Sequence, residues 1–142
     1  MRWRALLAAS LCAAAVFGSA AAARADVSVD AGAFVTGSKS DVGGLLSVGI
    51  YKPPVIPLGG EITAAVQATG GYAATADFRV TAASTTLGAG IGFGSLGTPG
   101  GTRALYDVIL AQSVAPHFAV EARVYFGSAR PTTVFAGLRL SL

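Results

Sequence analysis

Every formal charge inside the alternating segments of this chain falls on one side of them, and that one-sidedness restricts the fold more than any other feature. One parity collects Val27, Val29, Ala31, Ala33 and Val35, then Ile62, Ala64, Val66 and Ala68, and later Phe118, Val120, Ala122, Val124 and Phe126. The other carries Asp30, Glu61, Asp77, Arg79, Asp107, Glu121, Arg123 and Arg139 among Gly, Ser, Thr and Gln. Successive side chains of a strand point to opposite faces, so the pattern reads as strands with one apolar and one charged surface. Eight fit, at 27–36, 42–51, 59–69, 72–82, 86–94, 104–114, 118–127 and 133–142. Between them stand turn residues such as Gly70-Gly71, Ala83-Ser84-Thr85, Ala115-Pro116-His117 and the proline-rich stretch from Lys52 to Pro57. No amphipathic helix is legible after Ala25.

Two closed sheets could carry such alternation, a soluble barrel with its polar face outward and a membrane barrel with its polar face inward. A soluble exterior needs roughly a quarter to a third Lys, Arg, Glu and Asp, whereas the whole chain is 12% charged. The polar face is mostly small residues, which suit a narrow interior. Signs also balance there: Glu61, Asp77, Asp107 and Glu121 stand against Arg79, Arg123 and Arg139, and an unpaired charge inside a barrel would cost several kcal/mol. These seven residues are therefore expected to form one interior salt-bridge network. The last strand agrees, since Val134, Ala136, Leu138, Leu140 and Leu142 form an apolar face that runs to the final residue. Such an edge is a liability in water, and pairing it with 27–35 removes both sheet edges.

The other terminus reads as an export signal. Arg2 and Arg4 precede an apolar run from Ala5 to Phe17 that is too short to span a bilayer, and Ala23-Arg24-Ala25 has the small-x-small pattern of a cleavage site before Asp26. An uncleaved anchor and a lipid-modified Cys12 are the alternatives; the run is short for the first, and bulky Leu11 opposes the second. The organisation is then a signal peptide at 1–25 and one barrel domain at 26–142. Removing Arg2, Arg4 and Arg24 leaves seven basic residues against seven acids, so net charge offers no argument for nucleic acid. The only cysteine, Cys12, leaves with the signal, so stability must come from closure and packing rather than disulfides.

With these residues in view, the segment 26–142 resembles the small eight-stranded outer-membrane barrels of Gram-negative bacteria, similar to the OmpA and OmpX barrel domains. Its sharpest match is the terminus, where Gly137, Leu140 and Leu142 fit the Gly-x-x-hydrophobic-x-hydrophobic signal read by the barrel assembly machinery. Family members usually end in Phe or Trp where this chain has Leu142, and Phe135 stands where a polar residue is more usual. The resemblance implies an all-β, antiparallel, up-and-down transmembrane barrel in the cell outer membrane, in contact with lipid and lipopolysaccharide. It also implies periplasmic chaperones and the assembly machinery as partners during biogenesis, and a monomer. Both termini would be periplasmic, with external loops near Lys39, Gly70, Pro99 and Arg130 and periplasmic turns near Pro54, Ser84 and Pro116. The longest loop, 94–103, reads as flexible and chemically plain.

Chemistry is sparse. His117, the only histidine of the mature segment, sits in a turn; Ser113 is near it in sequence, but no Ser-His-acid arrangement can be assembled. One histidine and no cysteine leave no metal site, and no cofactor is expected. The run Gly88-Ala89-Gly90-Ile91-Gly92-Phe93-Gly94 lacks the strand-loop-helix setting of a phosphate loop and reads as a strand whose glycines face a crowded lumen. Three function classes remain: a non-catalytic outer-membrane protein with a structural, envelope-integrity or surface-interaction role, a narrow pore, and a soluble periplasmic or secreted barrel binding an apolar ligand.

Overall fold

The computed structural model describes residues 26–51, 58–97 and 101–142; Ala23 and Ala25 of the expected cleavage site, and Pro54 and Pro99 of two expected connections, lie outside them. Eight strands follow one another in the chain: β1 (Val27–Thr36), β2 (Lys39–Tyr51), β3 (Leu58–Gln67), β4 (Tyr72–Ala82), β5 (Thr85–Gly94), β6 (Arg103–Ala115), β7 (Phe118–Phe126) and β8 (Thr133–Ser141). Each pairs antiparallel with the next, and β8 closes on β1 to make a barrel. The closing ladder runs from Thr36 opposite Thr133 to Ser28 opposite Ser141, and the Leu142 amide donates to the Val27 carbonyl at 2.8 Å. No backbone edge is left open along this seam, as a sheet in a medium without water requires.

Val27 and Ser141 lie at one end of the barrel, here called the terminal end; the chain leaves β1 for β2, β3 for β4, β5 for β6 and β7 for β8 at the other, the loop end. The first of these is shorter than the sequence suggests. Lys39 and Asp41 belong to β2 rather than to a loop, because Gly37 at a φ of 60° and Ser38 alone turn the chain, and Thr36 then pairs directly with Lys39. At the terminal end, Pro116 followed by His117 at a φ of 66° fits the pattern of a type II turn.

The barrel is inside out relative to a soluble protein. Val42, Leu87, Ile91, Phe93, Val108 and Leu138 are among the many large apolar side chains that are exposed outward. Asp30, Asp107, Glu121 and Arg123 are each at most 1% exposed. Toward the loop end the outer face carries Tyr72, Phe93, Tyr106 and Phe126, the Tyr106 and Phe126 rings being 5.9 Å apart.

The lumen divides into two halves. Toward the loop end Phe34, Leu45, Leu105, Tyr125 and Phe135 pack together with Ala65, Ala73 and Leu96. The Phe34 and Phe135 rings lie 4.9 Å apart across the closing seam. They fit because their neighbours have no side chain: a Cβ on Gly137 would stand 2.5 Å from Cζ of Phe135 and 2.5 Å from the Ala31 carbonyl oxygen, and one on Gly43 would stand 2.7 Å from Cε2 of Phe34. Gly137 thus has a packing reason for being glycine. Changing Gly137 to Ala should cost about 1–3 kcal/mol through overpacking. Gly101→Ala, where a Cβ would meet nothing within 4 Å, should stay within about 0.5 kcal/mol. Urea unfolding of the barrel folded in detergent micelles measures both.

Candidate functional site: the sealed lumen and its mouth

Alternation on neighbouring strands brings the charged residues to one level of the lumen. Glu61 lies opposite Asp77 in the register of β3 and β4, Asp77 and Asp107 flank Gly90 of β5, and β7 supplies Glu121 and Arg123 two residues apart. Arg123, 0% exposed, is the hub. Its Nε donates to Glu121 at 2.6 Å, its Nη1 to Asp77 at 2.7 Å and Asp107 at 3.2 Å, and its Nη2 to Glu61 at 3.0 Å. Arg79 reaches Glu61 at 2.5 Å and Glu121 at 3.1 Å, and Arg139 reaches each of the same two glutamates at 2.8 Å. All seven charged residues singled out from the sequence thus converge. Thr63, not singled out, joins them by donating to Asp77 at 2.6 Å while its oxygen accepts from Arg123 at 3.1 Å.

Asp30 departs from this pattern. It is 1% exposed, yet neither carboxylate oxygen has a hydrogen-bond partner, although Arg139 stands across from it on β8. Arg139 turns instead to Glu61 and Glu121.

Leu96 and Gly97, from the stretch read from sequence as flexible and plain, cover part of the mouth. Leu96 is fully buried in the apolar half of the lumen, and Arg130 donates through Nη2 to its carbonyl at 2.8 Å. Gly97, at a φ of 62°, turns back over Thr36 and Thr133, whose side chains would lie within 2.7 Å of any Cβ there. The Gly97 amide meets Oε1 of Gln67 at 3.3 Å. Leu96 is therefore a cork, and the reason is physical: once the rings of Phe34, Tyr125 and Phe135 fill the upper lumen, an apolar side chain is better placed over them than in water. Beside the cork lies an open cavity of about 750 Å³ lined by Thr36, Gln67, Thr69, Tyr72, Ser95 and Thr102 among others, with Phe34 at its floor. Tyr72 hydrogen-bonds Thr102 across it, and Asp41 accepts from the Thr69 amide at 3.0 Å and from the Thr69 hydroxyl at 2.5 Å. Lys39, Arg103 and Arg130 add positive charge at this end; burial first, and the Arg103 charge second, lower the Arg130 pKa from its usual value.

His117 is exposed, and its Nδ1 donates to the Ser141 carbonyl at 3.1 Å, tying the β6–β7 turn to the last strand. Among the described residues, no group of three or more His, Cys, Asp or Glu side chains is arranged to hold a metal. Asp26, of the expected cleavage site, is exposed at the start of β1; Leu140 and Leu142, of the expected assembly signal, face outward.

The hub carries the first energetic consequence. Replacing Arg123 by Met leaves four buried carboxylates short of a partner and should destabilise the barrel by about 3–5 kcal/mol. Lys39→Met, at the exposed rim, should change stability by less than about 0.5 kcal/mol. A urea series on the two variants and the parent separates these outcomes.

No protein-family model matches the sequence, and no curated protein is similar to it. A solved structure does share the fold: Ail, the attachment invasion locus protein of Yersinia pestis, determined in complex with the heparin analogue sucrose octasulfate. The two superpose with a TM-score of 0.57 at 14% identity, over 83% of this chain and 97% of that one. The shared architecture is a closed, antiparallel eight-stranded barrel.

Proposed function

We propose that this chain is a non-catalytic outer-membrane protein of a Gram-negative envelope, whose role is structural and surface contact through its loop end. The observation that carries this reading is the inverted distribution of polarity: ionised groups line the inside and large apolar side chains cover the outside. Water would disfavour such an exterior, while a bilayer's hydrocarbon is its natural solvent. The aromatic residues Tyr72, Phe93, Tyr106 and Phe126 then occupy the outer interface, where such rings are enriched. Residues 1–25 are removed after Ala25 in this reading, and Gly137, Leu140 and Leu142 serve as the signal for barrel assembly. Lipid, lipopolysaccharide and, during biogenesis, periplasmic chaperones and the assembly machinery are its partners; the chain works as a monomer.

A structural and contact role is favoured over a pore because the lumen is filled twice, by the Arg123 network and by the cork of Leu96 over Phe34 and Phe135. Ail was crystallised with a sulfated sugar. The mouth of this chain, with its hydroxyl-lined cavity beside Lys39, Arg103 and Arg130, is the place where a polar surface partner would be met.

Fractionation of cells expressing the full chain tests the reading. Outer-membrane recovery, a heat-dependent shift in gel mobility and an N-terminus at Asp26 are expected, whereas a chain lacking Leu140 to Leu142 should accumulate in the periplasm or be degraded. Soluble periplasmic recovery of the intact chain would contradict it. In planar bilayers the purified protein should give no discrete current steps; reproducible steps would favour the pore.

A further inference from the structure

We propose that the lumen binds a hard monovalent cation, sodium or potassium, between Asp77 and Asp107 where they face the glycine strand β5. Five carboxylates, of Asp30, Glu61, Asp77, Asp107 and Glu121, share the lumen with only three guanidiniums, of Arg79, Arg123 and Arg139. The deficit of positive charge is visible in the contacts. Asp77 and Asp107 both turn Oδ2 to the same Nη1 of Arg123, at 2.7 and 3.2 Å. Their Oδ1 atoms are buried without a hydrogen-bond partner, and both lie 2.2 Å from the point where a Cβ of Gly90 would stand. Two like-charged oxygens therefore face one another across a gap that exists because β5 has glycine there. In a low-dielectric interior that arrangement is costly unless a positive charge lies between them.

Two further buried oxygens without partners lie close by in the strand register. The Thr75 hydroxyl sits two residues before Asp77 on the same face of β4, and the Tyr125 hydroxyl belongs to the residue directly opposite Asp107 on β7. Thr75 is 3% exposed and Tyr125 0%. All four donors are oxygen, the ligand type of hard cations. With Asp77 and Asp107 already half-neutralised by Arg123, and Glu61 and Glu121 taken up by Arg79, Arg123 and Arg139, the set suits a single positive charge better than a divalent ion. A water molecule would satisfy the hydroxyls but leave the charge.

The test uses the mature barrel folded in detergent micelles, with sodium chloride, potassium chloride or N-methylglucamine chloride at equal ionic strength. Sodium or potassium should raise the urea midpoint saturably above that in N-methylglucamine, and sodium-23 NMR lines should broaden on adding protein and sharpen again with potassium. Asp107→Asn should weaken apparent sodium affinity at least tenfold, while Asp41→Asn, at the exposed rim, should leave it unchanged. Where Asp107→Asn fails to fold, the sodium-23 experiment on the parent decides. Equal midpoints in all three salts, absence of broadening, or loss of binding in Asp41→Asn but not Asp107→Asn would overturn the proposal. A midpoint that follows pH with no response to the cation would overturn it as well, assigning the gap to a shared proton.

Discussion

The guanidinium of Arg123 is the contact on which the rest of the structure leans. It is fully buried and holds oxygens of Glu61, Asp77, Asp107 and Glu121 within 3.2 Å. A cation at this position lets strands β3, β4, β6 and β7 place acids on their inner faces without forcing the lumen open. Once those faces point inward, strand geometry sends the alternate residues outward, and these are Val, Leu, Ile, Phe and Ala. The apolar exterior is thus the same fact as the charged interior, seen from the other side of each strand.

Packing above the network follows from a second constraint, the narrow bore of an eight-stranded sheet. Three aromatic rings enter the lumen there, Phe34, Tyr125 and Phe135, and Gly43 and Gly137 make room for the two phenylalanines. The cork of Leu96 completes this layer, and Arg130 fixes the backbone that carries it. The loop end is therefore ordered from below: rings support Leu96, and Leu96 sets the path of its loop beside the mouth cavity.

Much of this was legible in the chain because period-two alternation reports directly on which face a residue takes. The eight strands and the convergence of the charged residues rest on that alone. Where the reading fell short, longer-range contacts decided. Lys39 and Asp41 join β2 because Gly37 and Ser38 make a sufficient turn, and Asp41 is held by Thr69 of a distant loop. Leu96, in a stretch of Gly, Ser and Thr, has no periodic signal; its burial depends on rings contributed by β1, β7 and β8. Phe135 looked out of place on a polar face, and only the apolar upper lumen explains it. Asp30 shares the parity of the network but not its hydrogen bonds, since Arg139 opposite it is already taken by two glutamates. Parity shows which way a side chain points, and not which partner claims it.

The most direct test of the inverted barrel is site-directed spin labelling, for which the segment 26–142 is well suited because it contains no cysteine. Single cysteines placed one at a time, at Leu87, Ile91, Val108 and Leu110 on the outer face of β5 and β6, at Gly101 at the loop end and at Ser113 at the terminal end, would be labelled in barrels folded into lipid vesicles. The account predicts that the four outer positions are accessible to oxygen and shielded from a water-soluble nickel complex, with the two end positions showing the opposite preference. Nickel access at Ile91 and Val108 equal to that at Ser113 would mean that water, not lipid, bathes the apolar face, and would contradict the inverted barrel.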